Sequence, residues 1–96
     1  MEIKHTDGRF YIGDADHPQG VLDYRMKGDK TVQAYHTQTS EDVRGQGVAG
    51  KLFDAFIAYV NEYDLKVQAD CSYVEKKMKE NEDYSRRLVE AAFNFT

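Results

Sequence analysis

The segment Glu41-Asp42-Val43-Arg44-Gly45-Gln46-Gly47-Val48-Ala49-Gly50 carries three glycines in its last six residues. An apolar pattern of helical period starts at its end and predicts a helix over about residues 47–62. The apolar positions are Val48, Leu52, Phe53, Phe56, Tyr59, Val60 and Tyr63. A glycine-rich loop entering a helix aims backbone N–H groups and the positive end of the helix dipole at one place. The segment therefore predicts an anion site, and with it a phosphorylated ligand.

Length, composition and charge limit the class of protein to which this chain can belong. The 96 residues suit one compact domain, 1–96, and 41% hydrophobic with 31% charged residues is ordinary for a globular chain. A net charge of -4 argues against a nucleic-acid partner held by a broad basic surface. We find no apolar run of membrane-spanning length and no apolar signal segment, so we expect a cytoplasmic protein without a membrane partner. The single cysteine, Cys71, allows no internal disulfide and no multi-thiol metal site, and we expect no metal.

Four strands in two antiparallel hairpins are predicted before the glycine loop. Asp7-Gly8 and Gly28-Asp29 are turn dipeptides between runs that contain apolar residues. The strand bounds are 3–6, 9–13, 21–27 and 31–37, with a loop at 14–20. Strict alternation in the fourth strand would place His36 on the same face as Val32 and Ala34.

After the helix, an apolar-containing run at 65–69 completes a β-α-β unit, so it should pair in parallel with 31–37. Ser72 and Glu75 form a capping-box pattern that starts a second helix directly after Cys71 and ends it near Asn81. Asp83 is expected to cap a last helix, with an apolar stripe of Tyr84, Leu88, Ala91, Ala92 and Phe95. The predicted class is mixed α+β: antiparallel hairpins, a β-α-β unit with a parallel strand pair, and C-terminal helices.

The spacing of Gly45, Gly47 and Gly50 also matches the dinucleotide-binding fingerprint, and Asp70 follows at about the distance of its ribose contact. The context excludes that interpretation, because the fingerprint needs its first glycine at the end of a strand. Here a polar connection separates Thr37 from Gly45. A phosphate-binding P-loop is excluded as well, since no Gly-Lys-Ser/Thr is present.

Three motifs in order resemble a known family. Arg44-Gly45-Gln46-Gly47-Val48-Ala49 resembles the Arg/Gln-x-x-Gly-x-Gly/Ala signature of the GNAT superfamily of acetyl-CoA-dependent N-acyltransferases. His36-Thr37-Gln38 before the loop and Cys71-Ser72-Tyr73-Val74 after it resemble segments of a subfamily of small GNAT-like proteins. The similarity covers most of residues 8–88. It implies a truncated GNAT-like fold, without the elements that usually precede the first hairpin and without the last two strands.

The resemblance also implies a cosubstrate, acetyl-CoA, and the residues that would hold it. The coenzyme A pyrophosphate would lie on the backbone amides of Arg44, Gly45, Gln46, Gly47, Val48 and Ala49. The pantetheine arm would pair with backbone groups around Tyr35, His36 and Thr37. The two parallel strands would splay apart to admit the thioester, and Tyr73 could line its pocket.

His36 is one candidate catalytic residue. An unperturbed imidazole titrates near neutrality and can accept the proton of an acceptor amine. A histidine that ends an apolar row can equally be a core or rim residue. Gln38 stands where the subfamily usually has glutamate, which puts a carboxylate base at that position in doubt.

Cys71 is the other candidate. It directly precedes a predicted helix start, where the dipole favours a thiolate, although the neighbouring Asp70 opposes this. Near a bound thioester, Cys71 could accept the acyl group or protonate the leaving thiolate. The alternative is a buried apolar cysteine without a chemical role.

Two functions remain open on this basis. One is a minimal N-acetyltransferase that moves the acetyl group of acetyl-CoA to an unknown amine, by way of His36 and Cys71. The other is a non-catalytic acetyl-CoA-binding or interaction module, whose open acceptor side a partner protein completes. The basic residues Lys76, Lys77, Lys79, Arg86 and Arg87 either contact the 3′-phosphate of coenzyme A or only solvate helix surfaces.

Overall fold

The computed structural model describes residues 2–89, which form one five-stranded mixed sheet with helices packed against it. Neighbouring strands follow chain order; the first four are antiparallel, and the last pairs in parallel with the fourth. The predicted α+β class with a β-α-β unit is confirmed. The strands are β1 (Lys4–Thr6), β2 (Arg9–Gly13), β3 (Pro18–Met26), β4 (Thr31–Thr39) and β5 (Lys66–Ala69). The helices are a 3-10 turn (Glu41–Val43), α1 (Val48–Glu62), α2 (Ser72–Lys79) and α3 (Glu82–Ser85).

The core lies between α1, α2 and one face of the sheet, which we call the helix face. Register places Phe10 opposite Leu22, Tyr24 opposite Ala34, and Val32 opposite Val67, and all six side chains are buried. The apolar stripe of α1 covers them, as its period predicts, and α2 adds Val74 and Met78 to the same cluster. The second face, which we call the open face, carries the row Arg9, Asp23 and His36, none of which belongs to this core cluster.

The third strand begins at Pro18, so the last three residues of the predicted loop, 18–20, belong to the strand and the loop is confined to 14–17. Gly13 pairs with Pro18 while Ile12 pairs with Gly20, so Gln19 is an extra residue at a bulge. A proline is tolerated there because it is the first residue of the strand. Glycine is required at position 20 because α1 approaches the strand closely there. A Cβ at this position would lie 2.7 Å from Val48 Cγ1 and 3.2 Å from Leu52 Cδ1. This approach brings the start of α1 against the sheet.

A second bulge overturns the prediction for His36. Tyr24 pairs with Ala34, but Asp23 pairs with His36, so Tyr35 is an extra residue without a partner on β3. One extra residue moves every later side chain to the opposite face. The predicted shared face of His36 with Val32 and Ala34 is therefore wrong. His36 lies on the open face, and Thr37, opposite the buried Leu22, lies on the helix face.

The start of α2 differs from the predicted capping box. Cys71, not Ser72, is the N-cap residue; its carbonyl accepts from the Glu75 N–H at 2.9 Å, and no side chain caps the helix. Cys71 therefore has extended backbone geometry and lies at the helix start itself.

The last predicted helix is wrong over residues 86–89. α3 ends at Ser85, and Asn81 caps it in place of Asp83, because Asn81 Oδ1 accepts from the Asp83 and Tyr84 N–H groups. Leu88 then forms a parallel bridge with Val67, through bonds of 2.7 Å from Val67 N to Arg87 O and 2.8 Å from Val89 N to Val67 O. The predicted stripe positions Ala91, Ala92 and Phe95 lie outside the described residues.

Over residues 2–89, no helix combines the length and apolar character that a membrane crossing needs.

Candidate functional site

The glycine loop exposes its backbone at two positions. Gly45 and Gly47 have positive φ of 88° and 74°, a conformation that L-residues with side chains rarely adopt. A Cβ at either position would meet no atom within 4 Å. Gly47 is also the N-cap residue of α1. A ligand can therefore approach the main chain closely at both glycines.

Along residues 44–47, backbone N–H groups that are hydrogen-bonded within the loop alternate with N–H groups that have no backbone acceptor among residues 2–89. The Arg44 N–H donates to Glu41 O and the Gln46 N–H to Val43 O, both at 3.2 Å. No backbone acceptor for the N–H groups of Gly45 and Gly47 is found within residues 2–89. Two of the six amides predicted to bind the pyrophosphate, those of Arg44 and Gln46, therefore already have acceptors inside the loop.

The first turn of α1 adds further donors. Lys51 N–H is bonded to Gly47 O at 3.0 Å, and the amides before it in the helix, from Val48 to Gly50, precede the first intrahelical bond. No acidic side chain stands in this first turn, so the positive end of the helix dipole is not neutralised there. Helix and glycines together present several N–H groups to one anion.

A cavity of about 400 Å³, which we call the loop cavity, opens above these amides. It brings together six of the residues predicted to bind the cosubstrate: Arg44, Gly45, Gly47, Val48, Ala49 and Tyr73. Thr39, Val43 and Gly50 complete the lining. Gln46 does not line it; its side-chain amide instead donates to Asp42 O at 3.3 Å.

Tyr73 reaches the loop cavity from the first turn of α2. Its ring stands edge-on to Phe53, with centroids 6.5 Å apart at 90°, and its hydroxyl lies next to Gly50. Burial raises the pKa of the Tyr73 phenol above its ordinary value of 10.0. The hydroxyl is therefore neutral at physiological pH and can donate a hydrogen bond.

The pairing between the two parallel strands ends partway along β4. β4 and β5 pair only from Thr31–Lys66 to Ala34–Ala69, and the Asp70 N–H bonded to Ala34 O at 2.9 Å closes the ladder. β4 continues to Thr39, so its residues 35–39 have no β5 partner. This free edge runs from the start of α2 to the glycine loop.

Cys71 lies at this free edge, on the helix face. Its Sγ donates to Thr37 Oγ1 at 3.3 Å, and the residue is half-buried. The carboxylate of the preceding Asp70 accepts from the Gln68 side-chain amide at 2.7 Å and from that of Gln33. The sequence predicted only that backbone groups around Thr37 pair with the pantetheine arm. It did not predict that the Thr37 hydroxyl contacts Cys71.

Tyr35 and His36 lie on the open face, away from Cys71. The Arg25 guanidinium covers the Tyr35 ring at 4.3 Å. His36 is exposed, with its Nε2 3.2 Å from Gln38 Oε1. Since an amide oxygen only accepts, His36 Nε2 carries the donated proton, and Nδ1 is free to accept one in the neutral ring. The structure thus separates the two predicted catalytic residues by the thickness of β4.

A second cavity, of about 220 Å³, lies on the open face; we call it the open-face cleft. His36, Gln38 and Ser40 line it from β4 and its end, and Arg9, Pro18, Gln19, Gly20 and Val21 line the rest. Arg9 is held there by Asp23, with Nε–Oδ1 of 2.6 Å and Nη2–Oδ2 of 3.0 Å. This hydrogen-bonded pairing raises the pKa of Arg9 above its ordinary value. Arg9 and Asp23 carry no signal in the sequence, because only strand register reveals that they are opposite one another.

Three of the five C-terminal basic residues have local partners. Lys79 bonds to Glu75 at 3.1 Å, Arg87 to Asp64 at 3.1 Å, and Arg86 lies 3.7 Å from Asp83. Exposed pairs of this kind contribute little stability, but they favour the surface interpretation of these side chains. Among the described residues, no three His, Cys, Asp or Glu side chains are grouped to hold a metal ion.

Comparison with known proteins bears on the family and the fold of this chain. A family model of GCN5-related N-acetyl-transferases matches residues 9–94. Protein NATD1 of Xenopus tropicalis is 42% identical over 65 residues, which are 68% of this chain and 60% of that protein. The match thus spans somewhat less than two thirds of the length of this relative.

Two solved structures share the fold. A GCN5-like protein of Staphylococcus aureus, solved by NMR, superposes with a TM-score of 0.75 at 28% identity, over 99% of this chain and 96% of that one. A GNAT family acetyltransferase of Elizabethkingia anophelis, crystallised with acetyl-CoA bound, gives a TM-score of 0.54 at 15% identity. It covers 66% of this chain and 42% of its own. The second likeness concerns the fold alone.

Proposed function

Because this chain belongs to the GCN5-related N-acetyltransferase family, we propose that it binds acetyl-CoA and transfers the acetyl group to an amine. Acetyl-CoA, when bound, supplies an acetyl group activated as a thioester. The observation that carries the proposal is the continuity of one surface: the loop cavity, the free edge of β4 and Cys71 lie together on the helix face.

The loop cavity fits the phosphates of the cosubstrate. The amides of Gly45 and Gly47, together with the first turn of α1, are available as donors, and no side chain covers the two glycines. Arg44 adds a cation at the rim; its guanidinium reaches only Thr39 O, at 3.5 Å, among the described residues. The remaining arm of the cosubstrate would run along residues 35–39, whose backbone groups toward β5 are unpaired. The family match leads us to choose acetyl-CoA as the ligand, and the Elizabethkingia protein, which shares the fold, was crystallised with acetyl-CoA bound.

His36 is suited to the acceptor side of the reaction. The amine nitrogen attacks the thioester carbonyl carbon, the carbon–sulfur bond breaks, and the amine must lose a proton. His36 Nδ1 is free to accept that proton, because Nε2 is engaged with Gln38 Oε1. Its place on the open face means that the acceptor would approach across β4 from the cosubstrate.

For Cys71 we favour proton donation over covalent catalysis. A nucleophilic thiol needs a base to activate it. The hydrogen-bond partner of Cys71 within the described residues is a hydroxyl, Thr37, and His36 is on the other face. A thiol held in this way can give its proton to the departing coenzyme A thiolate and regain one from solvent. The alternative, a covalent acetyl-Cys71, is the outcome that would contradict this assignment.

The test is a binding measurement followed by intact-mass analysis. Calorimetric titration with acetyl-CoA should show saturable binding to the wild-type chain. Incubation with acetyl-CoA should leave the protein mass unchanged, whereas release of free coenzyme A should rise when amines are added. Cys71→Ala should bind acetyl-CoA normally and release coenzyme A more slowly. A stable acetyl adduct, absent from Cys71→Ala, would replace proton donation by an acyl-enzyme route. Binding without amine-dependent release would leave a non-catalytic module, and no binding would refute the proposal.

A further inference from the structure

The end of β4 presents alternate residues to two different cavities. Thr39 lines the loop cavity and Thr37 contacts Cys71, whereas His36, Gln38 and Ser40 line the open-face cleft. We propose that the open-face cleft binds the carboxylate of a small, amino-acid-like molecule, with Arg9 as the anchoring residue.

Arg9 is prepared for such a ligand by Asp23. The carboxylate of Asp23 takes two N–H groups of the guanidinium, at Nε and Nη2. The remaining N–H groups have no other hydrogen-bond partner among residues 2–89. The Asp23 side chain is 8% exposed and that of Arg9 40%, so the carboxylate is buried while the Arg9 side chain stays accessible and lines the cleft. A planar, fixed fork of this kind recognises a carboxylate through two parallel hydrogen bonds.

The other polar groups of the cleft are compatible with an anion. The Gln38 oxygen is occupied by His36 Nε2, which leaves the Gln38 NH₂ group as a donor. The Ser40 hydroxyl proton is used by Asp42 Oδ1. No Asp or Glu is among the residues that line the cleft, although two carboxylates are bonded to lining residues, Asp23 to Arg9 and Asp42 to Ser40.

The volume limits the size of the ligand. About 220 Å³ is below the usual range for drug-sized ligands and suits a single small molecule. Pro18 and Val21 provide an apolar wall for a short aliphatic side chain. That this ligand is the acetyl acceptor rests on the proposed function; that the cleft binds a carboxylate does not.

The first experiment compares L-leucine with L-leucinamide, which share an amine and a side chain and differ in the carboxylate. Each is titrated into the full-length wild-type chain while NMR follows the Arg9 Nε–H, the His36 ring and the Gln38 side-chain amide. We expect saturable shifts of these groups with leucine and about tenfold weaker binding of leucinamide, the ratio for loss of a charge-assisted hydrogen bond. Equal affinity of the two ligands, shifts that map elsewhere, or no binding of either would overturn the proposal.

The second experiment replaces the anchor while keeping its charge. Arg9→Lys retains a cation to pair with Asp23 but loses the fork, and we expect leucine affinity to fall about tenfold. Arg25→Lys is the matched control, because Arg25 lies on the same face over Tyr35 and does not line the cleft. An equal loss in both variants would overturn the role of Arg9. If Arg9→Lys fails to fold, the leucine–leucinamide comparison in the wild type still decides the question.

Acetyl-CoA binding is measured in parallel on the same samples. Leucine binding without acetyl-CoA binding would refute the proposed function and leave the carboxylate site standing. Acetyl-CoA binding without leucine binding would refute the carboxylate site and leave the proposed function standing. Both, together with acetyl-leucine detected by mass spectrometry, would make the cleft the acceptor site.

Discussion

His36 lies directly opposite Asp23 across β3 and β4, on the face of the sheet away from α1. This placement results from one inserted residue, Tyr35, which has no partner on β3. The same insertion turns Thr37 toward Cys71. The two residues proposed for proton transfer, His36 and Cys71, therefore lie on opposite sides of β4, as the proposed approach of acceptor and cosubstrate from different faces requires.

Thr37 should act as a positioning residue for Cys71. Thr37→Val keeps the shape of the side chain but removes the hydroxyl that accepts the Cys71 proton at 3.3 Å. We expect acetyl-CoA affinity to be unchanged and the rate of acetyl transfer to fall about threefold to tenfold, the usual worth of one hydrogen bond. Thr37→Ser restores the hydroxyl and should recover most of the rate. A rate loss that serine does not rescue would mean that packing, not the hydroxyl, matters.

Gly47→Ala should weaken acetyl-CoA binding. Gly47 has a φ of 74°, so alanine adds strain, and a Cβ there projects into the space from which a phosphate would approach. We expect a loss of about 1 kcal/mol in unfolding free energy and at least tenfold in acetyl-CoA affinity. Urea titration and calorimetry measure the two effects separately.

The hairpin glycine Gly28 provides a matched control for this variant. Its φ is 109° and a Cβ would also meet nothing within 4 Å, but it lies in the turn between β3 and β4. Gly28→Ala should lose similar stability and bind acetyl-CoA normally. If both variants lose affinity alike, the loss reflects strain in general, and the loop cavity is not the binding site.

The loop and α1 could be predicted because each carries a strong local signal. Glycines with positive φ and an apolar stripe of period 3.6 are properties of the sequence itself, and α1 begins within one residue of the prediction. The bulge at Tyr35 carries no such signal. Beyond Ala34, the residues Tyr, His, Thr and Gln are polar or amphipathic, so either face is acceptable until β3 fixes the register.

The chain after α2 was mispredicted for a different reason. Leu88 fits the apolar stripe of a helix, but it pairs with Val67 on the outer edge of β5. An unpaired strand edge gains backbone hydrogen bonds from such a neighbour. A tertiary partner therefore overrides local helical preference, and periodicity alone does not predict it.

Gly20→Ala should destabilise the fold through α1. A Cβ at this position lies 2.7 Å from Val48 Cγ1, closer than real contacts allow, so the start of α1 must shift. We expect a loss of about 1–3 kcal/mol in unfolding free energy, the usual cost of overpacking. Val48→Ala removes the clashing methyl, so the double variant should be more stable than the sum of the two single losses predicts. Strict additivity in urea titrations would contradict this packing.

Tyr24 should make the stability depend on pH in the alkaline range. Burial raises the pKa of Tyr24 from 10.0 to about 12, and its hydroxyl lies 2.5 Å from His5 Nε2. Above pH 10 the unfolded chain releases the phenol proton while the folded chain keeps it, so ionisation favours unfolding. The stabilising contribution is complete below pH 10 and is lost progressively as the pH rises toward about 12.

The variant Tyr24→Phe lacks the phenol that titrates. The difference in unfolding free energy between wild type and Tyr24→Phe should therefore shrink over this interval, measured by urea titration at successive pH values. Parallel pH curves for the wild type and Tyr24→Phe would show that the buried phenol is not the titrating group.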